Sequence, residues 1–454
     1  MSAQLVNADG EDRTTQQSHT RRVRDLVAVN FGNALEWYDW NIYTVFAPVF
    51  SVQIFRTENP TSALLATLAV FAVGFIARPI GGILFGAYAD KVGRKKSLFV
   101  AMLITACGSL AIAVTPTFEA VGIVASIVLL VARLAQGLAH GGEMGTAATY
   151  LIERAPSHRR ALFGSTSWVS VVVGTMIATL VGLAINGLLS ETQVHDWGWR
   201  IAFGLGGILG LYALYLRRMI TETESYKQVA QSNNESLPTR SEAGKLATAA
   251  TGNDVESPDS IFNYWKGLLV IFGVSAGGSL MFYTWLIYFP NHAQMAYNMS
   301  PTQTLSASLM AQLIFLFAIL LAGLLGDRIG RKPMVITFGA LFIVLPFPVE
   351  MMLDGSFATF MITQVIVLLA IATLFGVNAA VWAEALPTHV RAKGVASILS
   401  LATAIFGGTA PYLITWFSDN GQYNLYLVYL MVIATLTLLT GILMREGKKQ
   451  SLSG

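Results

Sequence analysis

Four polar side chains recur at helical spacing near the start of the chain: Asn33, Glu36, Asp39 and Tyr43. Steps of three, three and four residues place them on one stripe of a helix that turns by about 100° per residue. Two carboxylates one turn apart resist being ionised together, so one of them can hold and release a proton. The spacing predicts proton exchange at Asp39 with Glu36 as its partner. A permanent ion pair with an arginine and a carboxylate near the helix end stay open as alternatives.

A second polar group occupies an arc of about 80° on a helical wheel, and it consists of Arg133, Gln136, His140 and Glu143. A planar guanidinium binds a carboxylate through two parallel hydrogen bonds and keeps its charge, so Arg133 is a candidate anion ligand. It could instead neutralise a carboxylate of the first stripe. His140 is either a proton relay or a satisfied polar residue. Gly137, Gly141 and Gly145 interleave with this group and predict close approach of a neighbouring helix.

Arg78 precedes Asp90 by 12 residues, which is about 18 Å along a helix that rises about 1.5 Å per residue. A dicarboxylate needs two cationic partners, and Arg78 with Arg133 would supply them. The following Pro79 favours another interpretation equally, in which Arg78 satisfies carbonyl groups freed by a kink.

Aromatic and polar residues also cluster in the second half of the chain. The group Tyr283, Thr284, Trp285 and Tyr288 either lines a cavity or anchors a helix at a membrane surface. Three neutral polar residues, Gln312, Gln364 and Asn378, are expected to form hydrogen bonds between helices rather than to bind a ligand.

These side chains lie in a chain that is too apolar for a soluble core. The 454 residues are 54% hydrophobic and 12% charged, with a mean hydropathy of +0.58, whereas soluble domains are about a quarter charged. Apolar runs near the ~20 residues that cross a bilayer recur along the sequence. They predict helices at 26–50, 63–88, 97–115, 121–150, 162–188 and 199–217, then at 264–290, 302–326, 333–352, 357–386, 394–417 and 423–444.

The distribution of basic residues sets the expected orientation. With both termini in the cytoplasm, 25 of the 29 Lys and Arg fall in cytoplasmic tails and loops, as the positive-inside rule requires. The same scatter of charge argues against nucleic-acid binding. Residues 1–25 lack an apolar signal segment, and the single cysteine, Cys107, is expected to be a small buried hydrophobe.

Two sequence repeats indicate a duplicated architecture. GAYADKVGRKK at 86–96 returns as GLLGDRIGRKP at 323–333, and ERAPSHRRA at 153–161 returns as EALPTHVRA at 384–392. The nearly equal offsets predict two six-helix halves with a site between them near the midplane. The expected domains are a cytoplasmic tail at 1–25, halves at 26–217 and 264–444, a polar linker at 218–263 and a tail at 445–454.

The repeated loop pattern G-x-x-x-D-[RK]-x-G-[RK]-[RK] resembles the signature of the major facilitator superfamily. GNALEWYDW (32–40), ARPIGGILFG (77–86), RLAQGLAHGGEMG (133–145) and WGWRIAF (197–203) together resemble the metabolite:proton symporter family over nearly the whole chain. Within that family, AGGSLMFYTWLIYF (276–289), GGEMGTAATY (141–150) and AIFGGTAPY (404–412) are most similar to α-ketoglutarate permeases. His140 and Trp40 depart from the family pattern, which has a small apolar residue and phenylalanine there.

The resemblance implies an all-α membrane protein with twelve transmembrane helices in two pseudo-symmetric six-helix halves. It implies proton-coupled uptake of a small carboxylate across the inner membrane by a monomer, with α-ketoglutarate as the nearest substrate. It implies that Asp90 and Arg94, with the repeat mates Asp327 and Arg331, clamp the two halves on the inner side. Tyr43, Gln136, Tyr283 and Tyr288 are then expected to join Arg78 and Arg133 around the substrate.

Other functions fit the sequence less well. A proline or betaine symporter shares the frame, but its osmosensing members end in a long charged tail, whereas REGKKQSLSG follows the last helix. A drug exporter is disfavoured because residues 162–188 contain no proline. A transporter-like receptor is the alternative outside transport. The sequence shows no nucleophile beside a base and no metal-binding cluster, so we expect neither an enzyme nor a cofactor.

Overall fold

The computed structural model describes residues 32–56, 59–141, 152, 155–218 and 261–447, and the side chains of Asp90, Arg94 and Lys95 lie outside that description. The predicted tails at 1–25 and the end of 445–454, most of the linker at 218–263, and Glu143 and Gly145 also fall outside it. Within the described ranges every regular element is helical.

Six long helices form the first half of the described chain. They are α1 (32–54), α2 (Pro60–Val92), α3 (Arg94–Val114), α4 (Val124–Gly141), α5 (Arg160–Leu188) and α6 (Trp199–Arg218). Each overlaps a predicted span, because the apolar runs that must cross a bilayer end where polar residues and glycines begin.

Six more form the second half. They are α7 (Trp265–Tyr297), α8 (Pro301–Ile329), α9 (Arg331–Val344, continuing as Pro346–Met351), α10 (Phe357–Glu384), α11 (Val390–Asp419) and α12 (Tyr423–Leu443). In the described ranges, nine of the twelve helices pass a test of length and apolar composition for membrane spans.

The repeated sequence motif makes the same tight connection in both halves. Gly93 joins α2 to α3 with φ +93°, and Gly330 joins α8 to α9 with φ +112°. These values lie in the region that side-chain-bearing residues avoid, so glycine permits the immediate start of the next helix. We call the end of the bundle with these two connections the motif end.

Glycines also bring α2 and α4 into backbone contact. A Cβ at Gly137 would lie 2.0 Å from the Gly74 carbonyl oxygen, and one at Gly141 would lie 1.9 Å from the Arg78 carbonyl oxygen. The close approach predicted from the glycine spacing is confirmed at these two positions. The two halves meet where α5 packs on α8 and where α2 packs on α11.

Two structural details bear on the helices that carry the site. Residues Phe282–Tyr288 of α7 are π-helical and Pro290 follows them, so this helix is interrupted near its middle. The expectation of a buried Cys107 was wrong, because this residue is exposed on α3. Its position in an apolar membrane helix directs the thiol toward the hydrocarbon of the bilayer.

Candidate functional site

A buried ion pair joins α1 to α4. Arg133 Nη1 lies 3.2 Å from Asp39 Oδ2, and neither side chain is more than 4% exposed. The Ser109 hydroxyl of α3 donates a hydrogen bond to Asp39 Oδ1, and Gln136 Nε2 donates to Ser109 Oγ at 3.0 Å. The Arg133 guanidinium also lies 4.0 Å from the ring centre of Tyr43. This arrangement matches the open alternative in which Arg133 neutralises a carboxylate of the first stripe.

A second buried pair lies one turn closer to the motif end. His140 Nδ1 is 2.8 Å from Glu36 Oε2, and the ring of His140 lies 6.2 Å from those of both Trp37 and Trp40. The two polar stripes predicted from spacing therefore face each other, carboxylate to cation, across the contact between α1 and α4. The histidine carries a charge in this pair only when it is protonated.

Arg78 occupies a different environment beside these pairs. Its side chain is fully buried, and its guanidinium lies 3.6 Å from the ring centre of Phe75 and 4.3 Å from that of Trp40. The phenol of Tyr283, from α7 in the other half, interacts with the guanidinium, and Glu36 adds a favourable charge interaction. Arg78 thus contacts aromatic rings and interacts with a carboxylate.

Aromatic side chains from both halves pack together around Arg78. Tyr283 packs edge-on against Phe75 at 5.0 Å and stacks on Trp37 at 6.3 Å, while Phe282 meets Trp37 at 5.5 Å. We call the set Trp37, Trp40, Phe75, Phe282 and Tyr283 the aromatic box. It was not predicted from the sequence, although the run GNALEWYDW contains two of its members.

The comparisons with known proteins bear on the whole chain. The family model described as "Sugar (and other) transporter" matches residues 26–454. The chain belongs to this family of the major facilitator superfamily. It is therefore a multi-pass membrane transporter rather than an enzyme.

Curated relatives of this transporter differ in what they carry. It is 33% identical to the alpha-ketoglutarate permease of Escherichia coli K12, over 99% of both chains. It is 33% identical to a glycine betaine/proline/ectoine/pipecolic acid transporter of Dickeya dadantii, over 94% of this chain and 84% of the relative. It is 30% identical to the citrate-proton symporter of Klebsiella pneumoniae, over 87% and 85% of the two chains.

Solved structures support the fold of the transporter. The crystal structure of D-xylose-proton symporter superposes with a TM-score of 0.69 over 94% of this chain and 98% of that one, at 18% identity. At this identity the likeness concerns the fold alone, and it agrees with twelve helices in two pseudo-symmetric halves.

The hydroxyl groups of Tyr43 and Tyr288, two residues expected around the substrate, bind other partners. The Tyr43 hydroxyl donates to the Thr67 carbonyl oxygen at 2.7 Å, and the Tyr288 and Thr415 hydroxyls lie 2.5 Å apart. Tyr283, Thr284, Trp285 and Tyr288 are at most 2% exposed. The alternative that they anchor α7 at a membrane surface was therefore wrong, because surface anchors need contact with water.

The three neutral polar residues do connect helices. Gln312 of α8 donates to Thr179 of α5 at 3.2 Å, and Gln364 of α10 donates to the Trp285 carbonyl oxygen at 2.9 Å. Asn378 accepts a hydrogen bond of 2.9 Å from the indole of Trp168. The prediction of hydrogen bonds between helices is confirmed for all three, and two of these bonds cross between the halves.

At the motif end, Asp327 of α8 holds the first turn of α5. Its Oδ1 and Oδ2 accept the backbone N–H groups of Ala161 and Leu162, each at 3.0 Å. These N–H groups have no partner inside their own helix, and the helix dipole favours a negative charge there. A carboxylate of the second half thus caps a helix of the first half.

Charged neighbours extend this contact. Arg331 Nη2 lies 3.4 Å from Asp327 and 3.2 Å from Glu384, and Arg160 Nη1 lies 3.8 Å from Glu384. Glu384 and Arg160 were missed as site residues, although both belong to the repeat ERAPSHRRA and EALPTHVRA that was noticed in the sequence. We call Asp327, Arg331, Glu384 and Arg160 the motif-end clamp.

Proposed function

We propose that this transporter is a proton-coupled importer of a small carboxylate, with α-ketoglutarate or a related dicarboxylate as its best candidate substrate. It would work as a monomer in the inner membrane by alternating access, with the motif end and both termini in the cytoplasm. The observation that carries the proposal is the buried Arg78 guanidinium, which lies against the rings of Phe75 and Trp40 in the aromatic box. Tyr283 from the opposite half packs on Phe75 at 5.0 Å.

A guanidinium held by ring stacking remains a good anion ligand. Aromatic rings contact the face of the group, whereas its N–H donors lie in the plane and point outward along the edges. Phe75 and Trp40 can therefore fix the orientation of Arg78 while a substrate carboxylate binds the edge. A low-dielectric pocket strengthens that charge-assisted bond.

The Arg133–Asp39 pair offers a direct link between proton and substrate. When Asp39 takes up a proton it loses its charge, so Arg133 loses its anionic partner at 3.2 Å. Arg133 can then bind the second carboxylate of a dicarboxylate, with Gln136 nearby as a hydrogen-bond donor. Release of the proton restores the ion pair and expels the anion. Proton and substrate would thus move together in this scheme.

The Glu36–His140 pair would provide a second place for the proton. Glu36 interacts with both His140 and Arg78, so a change in its charge alters the field at the proposed anion ligand. Because the two pairs lie next to each other on α1 and α4, a proton can be shared between them. We propose Asp39 as the coupling carboxylate and this pair as its relay. Glu143 is retained as a proposed member of the proton path.

The test is uptake of radiolabelled α-ketoglutarate into proteoliposomes, with and without an inward proton gradient. Gradient-driven accumulation that unlabelled α-ketoglutarate blocks would support both the substrate and the coupling. Gradient-driven uptake of citrate, shikimate or proline alone would keep the mechanism and refute the substrate. Binding without accumulation would indicate a receptor and refute transport.

One observation favours a second candidate, a zwitterion symporter of the proline or betaine type. Faces of Trp and Tyr rings attract quaternary ammonium groups, and the aromatic box presents Trp37 and Tyr283 beside Arg78. An amino acid betaine would place its carboxylate on Arg78 and its ammonium against these rings. Uptake that betaine blocks and α-ketoglutarate leaves unchanged would select this candidate.

A further inference from the structure

A second buried group of ionisable side chains lies at the end of the bundle opposite the motif end. Glu350 near the end of α9 accepts hydrogen bonds from Tyr297, the last residue of α7, at 2.5 Å, and from Tyr423, the first residue of α12, at 3.0 Å. His292 of α7 stacks on Tyr423 with ring centres 4.4 Å apart. We call His292, Tyr297, Glu350 and Tyr423 the outer cluster.

The histidine in this cluster is placed to respond to a proton. His292 is 4% exposed, and its Nε2 lies 3.7 Å from Glu350 Oε1, beyond hydrogen-bond distance. Among the described residues this nitrogen has no hydrogen-bond partner. An imidazole that gains a proton becomes a cation and a donor at both nitrogens. Its attraction to the Glu350 carboxylate therefore rises, and the gap leaves room for the contact to shorten.

The neighbouring residue on α7 connects this cluster to the other half. Asn291 Nδ2 donates to the Thr44 carbonyl oxygen of α1 at 2.5 Å. The segment Phe289–Tyr297 therefore contacts α1 through Asn291 and contacts α9 and α12 through the outer cluster. It follows the π-helical residues Phe282–Tyr288 and includes Pro290, so its orientation is separable from that of the rest of α7.

We propose that the outer cluster is a proton-binding site, distinct from the central ion pairs, that holds the outer segment of α7 in the closed position. Protonation of His292 from the outer side strengthens its contact with Glu350 and fixes the segment where Asn291 reaches α1. Loss of the proton loosens the segment and favours opening of the outer end. The inference uses the orientation given under the proposed function, in which this end faces the periplasm.

In the described part of the chain, His292 faces a carboxylate and aromatic rings. Glu350 faces it from α9, Tyr423 from α12 and Tyr297 from its own helix, with Tyr426 next to Tyr423. From α8, Thr304 accepts a hydrogen bond from Gln294 of this segment at 2.8 Å. A proton on His292 would therefore strengthen its attraction to the carboxylate of Glu350.

The test measures the outer opening directly and requires no substrate. Nitroxide labels are placed on Ser62→Cys in α2 and Ala296→Cys in α7, both exposed positions at the outer end, in a Cys107→Ala background. Electron-electron distance distributions of the reconstituted full chain are recorded at about pH 7.5 and about pH 5.5. The closed outer end gives a short distance between the labels and the open end gives a long one. We expect the ratio of the short-distance population to the long-distance population to rise about fivefold or more at the lower pH.

Matched variants distinguish the outer cluster from a general effect of acid. His292→Gln and Glu350→Gln should each abolish the response, because one removes the proton acceptor and the other removes the charge it meets. His195→Gln changes a histidine that is 52% exposed at the same end and lies outside the cluster, so it should keep the response. Three outcomes would each overturn the proposal. The wild-type protein could show no response to pH, His292→Gln could keep the response, or His195→Gln could lose it.

Uptake assays on the same preparations separate this inference from the proposed function. If the distance response holds but no carboxylate accumulates, then the substrate proposal fails and the outer proton site remains. If gradient-driven uptake holds and the distance response is absent, then the outer cluster has a purely structural role.

Discussion

At position 78, the planar guanidinium of arginine should bind a substrate carboxylate better than the compact ammonium of lysine. The Arg78 guanidinium is fixed by the rings of Phe75 and Trp40, and a lysine would keep the charge without the stacking or the fork of donors. We expect Arg78→Lys to raise the KM for α-ketoglutarate about tenfold or more, and Arg78→Gln to raise it further. Initial uptake rates in proteoliposomes measure both.

A matched control for this prediction is Arg200→Lys. Arg200 also lies against an aromatic ring, 4.1 Å from the centre of Trp199, but it belongs to α6 away from the aromatic box. Its replacement should leave the KM within about twofold of the wild type. Equal effects of the two substitutions would show that stacked arginines support folding rather than substrate binding.

Asp39 should decide whether transport responds to a proton gradient. Asn has the shape of a protonated aspartate, so Asp39→Asn fixes the uncharged form and leaves Arg133 without its anionic partner at 3.2 Å. We expect gradient-driven accumulation to fall to the level seen without a gradient, while exchange of internal for external substrate continues. Counterflow and gradient-driven uptake, measured side by side, check this.

The control for the coupling residue is Asp419→Asn, at an exposed helix end. It should retain both accumulation and exchange. Gradient-driven accumulation that survives in Asp39→Asn would transfer the coupling role to Glu36 and His140, which form the neighbouring pair.

At the scale of the elements, the contact between α2 and α4 depends on residues without side chains. A Cβ at Gly137 would lie 2.0 Å from the Gly74 carbonyl oxygen, and backbone cannot rotate away as a side chain can. We expect Gly137→Ala to destabilise the protein by about 1–3 kcal/mol. Thermal unfolding in detergent, followed by tryptophan fluorescence, measures the change.

Gly187→Ala tests the same chemical change in a helix with open space. Among the described residues, no atom beyond the adjoining residues and backbone of α5 lies within 4 Å of a Cβ built at Gly187. Alanine should therefore be neutral or slightly stabilising through its better helix propensity. If Gly137→Ala unfolds at the same temperature as Gly187→Ala, then the α2–α4 contact is looser than the backbone distances imply.

The elements were the part of the fold that the sequence predicted best. A bilayer demands long apolar helices, and α5, α8 and α12 lie within a few residues of their predicted spans. The polar stripes of α1 and α4 were also predicted, each on its own helix, because a period of 3.6 residues fixes which side chains share a face.

The pairing of side chains between those faces was not predictable to the same degree. Helical spacing places Arg133 and Arg78 on buried faces, but it does not set the rotation or separation of the helices that bear them. The partner of Arg133 therefore remained open until Asp39 was found at 3.2 Å. The aromatic box and the outer cluster depend on contacts between helices distant in sequence, which no local period encodes.

At the scale of the whole molecule, the contacts between the two halves at the motif end are well defined. The cytoplasmic position of the tails and the limits of the domains remain predictions. Asp327 caps α5 with two hydrogen bonds of 3.0 Å, and Arg331 supports it at 3.4 Å. These bonds must break when the halves separate at this end. They therefore stabilise the states in which the motif end is closed.

We expect Asp327→Asn to reduce turnover about tenfold while leaving the affinity for substrate within about threefold. Asparagine can accept one of the two backbone N–H groups but brings no charge, so the closed state is weakened and the central site is untouched. Counterflow rates give the turnover, and equilibrium binding of labelled α-ketoglutarate to purified protein gives the affinity. The same reasoning predicts that Asp90→Asn slows transport more than it weakens binding.

Asp354 provides the comparison that separates a tie between halves from an ordinary cap. Its Oδ1 accepts the hydroxyl of Thr359 at 2.6 Å and the N–H of Ser356 at 2.8 Å, both within the loop and helix of one half. The bond from Thr359 lowers the pKa of Asp354 to about 2, so this carboxylate is charged at neutral pH as a clamp residue must be. Asp354→Asn removes the same charge from a cap that no conformational change has to break, so turnover should stay near the wild-type rate. A similar loss of turnover in both variants would mean that helix capping, rather than the contact between the halves, limits the transport cycle.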